Sequence, residues 1–168
     1  MVRLHARSNN TEVEVNRRYL EFFMNVAQEC ARMSTCCSRS VGAVLVKDKR
    51  IIATGFNGVP AGIPHPKKCV REQFKIKSGQ RLELADCIHA EMNCIIQCAR
   101  LGISCEGSIL FCTTQPCVDC TKVILNSGIK KVYYSEPYQL GKEFDFIRKQ
   151  IEQSNTEFEQ FSWSSNHG

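Results

Sequence analysis

Apolar residues recur at Tyr19, Phe22, Phe23, Val26, Ala27, Cys30 and Met33, helical spacing that predicts an amphipathic helix over Asn16–Met33. The pattern then changes. Val41–Val46 and Arg50–Gly55 are β-branched runs separated by the polar Lys47-Asp48-Lys49, which predicts an antiparallel hairpin. From Phe56 to Asp86 periodicity fails, broken by Gly58, Pro60, Gly62, Pro64, Pro66 and Gly79. So long an irregular stretch calls for a functional or metal-bound reason. Regular patterning resumes as a helix over His89–Leu101, a strand over Ser108–Thr113, a helix over Cys117–Ser127 and a strand over Lys131–Ser135. A helix near Lys142–Ser154 and an edge strand near Thr156–Phe161 complete an α/β sandwich, with helices crossing between parallel strands. No repeat or linker divides the 168 residues, so the chain reads as one domain with its core over about 17–161.

Composition narrows the class. With 43% hydrophobic residues and a formal charge of +5 (22 Lys+Arg against 17 Asp+Glu), the chain is neither disordered nor low-complexity. Its apolar runs are too short to span a bilayer, and the polar start Ser8-Asn9-Asn10-Thr11-Glu12 reads as no secretion signal, so an intracellular, cytoplasmic protein is expected. The 11 cysteines then point to metal ligands and reduced buried thiols rather than disulfides. Cys30, Cys94, Cys98, Cys105 and Cys112 fall on apolar faces and are expected to be core thiols.

The strongest chemical signal is His89-Ala90-Glu91 followed by Pro116-Cys117-Val118-Asp119-Cys120. Cys117 and Cys120 lie one helical turn apart, so both sulfurs reach one zinc ion with His89 as the third ligand. Three protein ligands leave the fourth position to water, which distinguishes a catalytic zinc from a closed structural one. Both ligand groups fall at predicted helix N-termini, where backbone N–H groups favour thiolate. Glu91 is not needed as a ligand and is placed to move a proton between water and substrate. This H-x-E…P-C-x-x-C order is that of zinc deaminases attacking cytosine C4 or adenine C6.

From Cys36-Cys37-Ser38-Arg39-Ser40-Val41-Gly42-Ala43-Val44, through Thr54-Gly55-Phe56-Asn57-Gly58-Val59-Pro60-Ala61-Gly62, to Gly128-Ile129-Lys130-Lys131-Val132, the chain resembles deoxycytidylate (dCMP) deaminases of the bacterial and phage type. Phe56 stands where that family commonly has Tyr. The resemblance implies a cytidine-deaminase-like three-layer α/β/α sandwich with a five-stranded mixed sheet. It implies hydrolysis of dCMP to dUMP and ammonia, which supplies dUMP for thymidylate synthesis. It assigns the catalytic zinc to His89, Cys117 and Cys120 and proton transfer to Glu91. Substrate or effector contacts are implied at Asn57, Gly58, Gly62, Ala90 and Tyr138. A second, structural zinc is implied at Cys36, His65, Cys69 and Cys87, with Cys37 an alternative to its neighbour. Also implied are a hexamer, dCTP as activator and dTTP as inhibitor, and Mg2+ accompanying the effector phosphates.

Two other readings remain open on sequence. One is a deaminase of a nucleoside, free base or RNA base, since the zinc motif is common to these. An RNA-acting enzyme should show a basic and aromatic stripe, for which Lys67, Lys68 and Arg71 are thin evidence, so no nucleic-acid partner is expected. The other is a non-catalytic zinc-stabilised nucleotide-binding module, against which Glu91 argues.

Overall fold

The computed structural model describes residues 17–76, 81, 84–137 and 143–163. The first helical stripe folds as α1 (Arg17–Ala31), which buries Phe23, Met24 and Ala27; beyond its end, Met33 is exposed. The paired β-branched runs fold as β1 (Gly42–Lys47) and β2 (Arg50–Phe56), antiparallel, with Lys47 opposite Arg50. Asp48 and Lys49 close the hairpin with φ of 49° and 61°. Positive φ at both central residues makes this a type I′ turn, whose twist suits a two-residue hairpin.

Inside the stretch read as irregular lies a short helix, α2 (Val70–Gln73), which sequence periodicity does not show. There follow α3 (Ala90–Leu101), β3 (Ile109–Thr114), α4 (Val118–Asn126), β4 (Lys131–Glu136), α5 (Glu143–Gln153) and β5 (Glu157–Gln160). The five strands form one sheet in the order β2-β1-β3-β4-β5. β1 runs antiparallel to both β2 and β3, while β3, β4 and β5 are mutually parallel. β2 and β3 therefore point the same way, and the connection through α3 passes over β1 rather than joining adjacent strands.

Alternation along the central strands divides the core. Val44, Val46, Phe111 and Tyr133 face α1 and pack with Phe23, Met24 and Ala27. Ala43, Leu45, Leu110, Cys112 and Val132 face the opposite way, toward Ala90, Cys94 and Cys98 of α3 and Cys120 and Ile124 of α4. Each large apolar side chain buried this way contributes about 1.5–3 kcal/mol. The result is the three-layer α/β/α sandwich with a mixed sheet that the resemblance implies. Cys94, Cys98 and Cys112 are buried core thiols as expected, while Cys30 and Cys105 are half-buried.

Two glycines set how closely the helices sit on the sheet. A Cβ built at Gly42 would overlap the Ala27 carbonyl of α1, and one at Gly55 would overlap the Ala90 carbonyl at the start of α3. Gly55 is therefore not a turn residue. Its missing side chain lets the first turn of α3 rest directly on β2.

Candidate active site

The site lies beyond the C-terminal ends of β2 and β3, where α/β sheets gather their ligands. His89 is the N-cap of α3 and Cys117 the N-cap of α4, both in extended conformation, and Cys120 stands one turn into α4. His89 Nδ1 lies 3.4 Å from Cys117 Sγ and 3.3 Å from Cys120 Sγ. Tetrahedral zinc with bonds of about 2.0–2.1 Å to nitrogen and 2.3 Å to sulfur separates N from S by about 3.5 Å. The donor set and its spacing thus fit zinc. Among the described residues, this is the one group of three His, Cys, Asp or Glu whose ligand atoms lie within 4.8 Å of one another.

The electrostatics suit a cation. Cys117 is held down to about 4, first by hydrogen bonding from Cys120 and then by His89, while burial opposes the shift. Cys120 is correspondingly pushed well up by the shared hydrogen bond and by burial. His89 rises to about 9 because it bonds the Cys117 thiolate. Near pH 7 the metal-free site therefore carries a Cys117 thiolate, a Cys120 thiol and a His89 imidazolium. Zinc requires both thiolates and a neutral imidazole, so uptake must expel about two protons per ion. Titrating zinc into metal-free protein in weak buffer should show that release, with affinity climbing steeply as pH rises toward 8. Proton-neutral, pH-independent uptake would contradict this charge assignment.

Glu91, in the first turn of α3, is only 4% exposed. Burial is the main cause that lifts its carboxyl to about 7, and the Cys120 thiol bonds to it. Its carboxyl thus faces the ligand sulfurs. It lines a cavity together with His89 and Cys117. Both protonation states of Glu91 are accessible near neutral pH, as proton transfer requires.

The rest of the wall is assembled by backbone ties. Asn57, just beyond β2, accepts hydrogen bonds through Oδ1 from the Val41 N–H (2.8 Å) and the Ser34 hydroxyl (2.6 Å). Its Nδ2 donates to the Arg39 carbonyl at 2.7 Å. The buried Asn57 thereby fastens the α1–β1 connection to the end of β2 while lining the cavity. Gly58 and Ile88 exchange backbone hydrogen bonds of 3.1 and 2.8 Å, which anchors the residue before His89. Asn93 Nδ2 bonds the Phe56 carbonyl at 2.8 Å and adds a second tie from α3 to β2.

Other singled-out residues fall differently. Ala90 is fully buried under Gly55, and Gly62 takes φ +84° in an exposed turn. Cys36 and Cys87 line the cavity and hydrogen-bond to each other, with Cys69 and Cys37 acting on Cys87. Burial and that hydrogen bond raise Cys87 to about 12. Burial pulls Cys36 the same way, but the Ser38 and Arg39 backbone outweighs it and leaves that thiol lowered. His65 is exposed. Tyr138 lies outside the described residues. Sequence reasoning did not place Arg39, Arg71, Thr114 and Gln115 in the cavity wall. Thr114 and Gln115 had a legible signal, since Thr114 ends β3 and Gln115 directly precedes Pro116-Cys117.

The fold and this metal-ligand set are those of a deaminase whose donor residues fit zinc. The chain belongs to the cytidine and deoxycytidylate deaminase family, whose zinc-binding-region model matches residues 17–136. It is 39% identical to the ComE operon protein 2 of Bacillus subtilis over 140 residues, covering 83% of this chain and 69% of that protein. It is 36% identical to the deoxycytidylate deaminase of Enterobacteria phage T4, covering 71% of this chain and 78% of that one. The crystal structure of dCMP deaminase from cyanophage S-TIM5 in complex with dCMP and dUMP superposes with a TM-score of 0.70 at 34% identity, covering 86% of this chain and 98% of that chain. No described helix is long and apolar enough to cross a membrane.

Proposed function

We propose that this protein hydrolyses dCMP to dUMP and ammonia, with zinc held by His89, Cys117 and Cys120. The observation that carries the reading is the buried Glu91 carboxyl set against a three-ligand metal group in the wall of one cavity. The dCMP- and dUMP-bound cyanophage structure, alike in fold over most of this chain, supports the choice of substrate. A zinc ion held by these three residues would supply an acidified water, with a pKa of about 7. Glu91 takes one proton from the attacking water and passes it to N3 of the ring, then takes the remaining proton from the hydroxyl now on C4 and gives it to the C4 amine, which leaves as ammonia. The C4–O bond forms first as water adds across C4=N3, the C4–N bond then breaks as the C4 carbonyl forms, and there is no change of oxidation state. Asn57 meets the deoxyribose with its remaining amide hydrogen while its other bonds hold the wall. Ala90 and Tyr138 complete the substrate contacts.

The finer reading extends beyond the catalytic centre. Cys36, Cys69 and Cys87 hold a second, structural zinc, completed by His65, with Cys37 the alternative to Cys36; the thiol contacts around Cys87 support it. The exposed turn Pro60–Gly62, entered from the buried Gly58, receives dCTP as activator or dTTP as inhibitor, with Mg2+ on the phosphates. The working form is an intracellular hexamer.

Ultraviolet deamination rates on dCMP, CMP, deoxycytidine and dCTP test the function. The reading expects dCMP to be preferred and its rate to respond to dCTP with Mg2+. Preference for a nucleoside or base would replace the substrate assignment, and turnover of none would point to a non-catalytic module.

A further inference from the structure

His89 is held on both sides along the chain. Ahead of it, the Val70 N–H of α2 donates to Asp86 Oδ2 at 2.9 Å, and Ile88 pairs with Gly58. Behind it, α3 is tied to β2 by side chains that the chemistry has not used. β2 is an outer strand, paired among the described strands with β1 alone, so its far side carries backbone groups that no strand takes. Two of these are met by α3. The Thr54 N–H donates to Gln97 Oε1 at 3.1 Å, and the Phe56 carbonyl accepts from Asn93 Nδ2 at 2.8 Å. Asn93 and Gln97 lie four residues apart, on one face of the helix. Their bonds straddle Gly55, where the Ala90 carbonyl rests against the strand.

The glycine contact and the two hydrogen bonds constrain different movements. Contact at Gly55 sets how near α3 comes to β2 but resists sliding weakly, because burial is non-directional. The bonds to Thr54 and Phe56 fix the helix along the strand, because a hydrogen bond weakens steeply once donor and acceptor move out of line. That position matters at the start of the helix, where His89 caps α3 and Glu91 stands in the first turn. The Asn93 N–H also donates to the His89 carbonyl at 3.0 Å. Asn93 thus links the backbone of a metal ligand to Phe56, whose next residue is Asn57 of the cavity wall. Neither Asn93 nor Gln97 lines the cavity, so neither touches what is bound there.

We infer that Asn93 is a positioning residue for proton transfer by Glu91, with Gln97 as the second tie. Together they hold α3 in place along β2, so that the Glu91 carboxyl meets a pyrimidine nucleotide seated against Asn57. The inference rests on the deaminase reading above and adds the residues that set its geometry.

The test compares zinc-loaded wild type, Asn93→Leu and Gln97→Met on dCMP, with calorimetric binding of dUMP, and repeats both substitutions in a Glu91→Gln background. Each keeps the length of the side chain and removes its hydrogen bond. Misplacing a catalytic group by about 1 Å costs on the order of 10²-fold, so Asn93→Leu should lower kcat roughly 10–100-fold. KM, dUMP affinity and zinc content should stay at wild-type level, because nothing that touches a ligand is removed. Gln97→Met should show a smaller loss of the same kind. With Glu91→Gln already in place, neither substitution should lower the residual rate further, since the group being positioned is gone. An equal loss with and without Glu91 would mark Asn93 as merely structural, and a loss through KM and dUMP affinity would overturn the assignment as well. If Asn93→Leu does not fold, Gln97→Met decides through the same comparison. A wild type inactive on dCMP would overturn the proposed function and this inference with it. An active wild type whose kcat survives in Asn93→Leu would overturn this inference alone.

Discussion

Replacing Glu91 with glutamine should leave the protein folded and zinc-loaded while lowering dCMP turnover about 10²–10⁴-fold, the usual share of a positioned acid–base group. Glutamine fills the same space but cannot accept and return a proton. Stability should not suffer, and the sign follows from the raised pKa. Burial lifts the Glu91 carboxyl to about 7, so the folded state disfavours its ionised form and carries a penalty that grows as pH rises through that value. The amide removes this penalty, so the metal-free variant should unfold at pH 8 no lower than metal-free wild type. Metal analysis and a rate on zinc-loaded protein, with a melting curve on metal-free protein, suffice. Wild-type turnover by Glu91→Gln would remove the proton-transfer role, and loss of zinc would make Glu91 a structural support of the ligands instead.

Cys117→Ala should abolish the reaction outright. Without the thiolate that anchors the charge of the site, His89 and Cys120 form an incomplete set, and zinc content should fall by one equivalent per chain. Turnover should drop to the uncatalysed background, at least about 10⁶-fold below the intact enzyme. Zinc that remains after this change reports the proposed second site, which Cys69→Ser should empty. Full retention of zinc by Cys117→Ala would refute the ligand assignment.

How much of this was legible in the sequence depends on the range of the interaction involved. The hairpin from Val41 to Gly55 and the helices carrying His89 and Cys117 are written in local periodicity, and their N-caps fall where the ligands do. The strand order was not legible, because pairing β1 with β3 joins segments separated by all of α3. Helix α2 spans four residues, too few for a helical period to register. Gly55 reads in sequence only as the end of a strand, yet its role is a close contact with Ala90, visible only once α3 lies on β2. The same holds for Arg71, which looks in sequence like part of a solvated basic run and becomes a cavity residue only through the tie between Val70 and Asp86. Residues that act through local spacing were found, and those that act through tertiary approach were not.

The most direct test of the account is the stoichiometry of products formed from dCMP by the zinc-loaded protein, run beside Glu91→Gln. The account predicts dUMP and ammonia in equal amounts from the wild type and almost none from the variant. Fully zinc-loaded wild type that yields neither product from dCMP would contradict it.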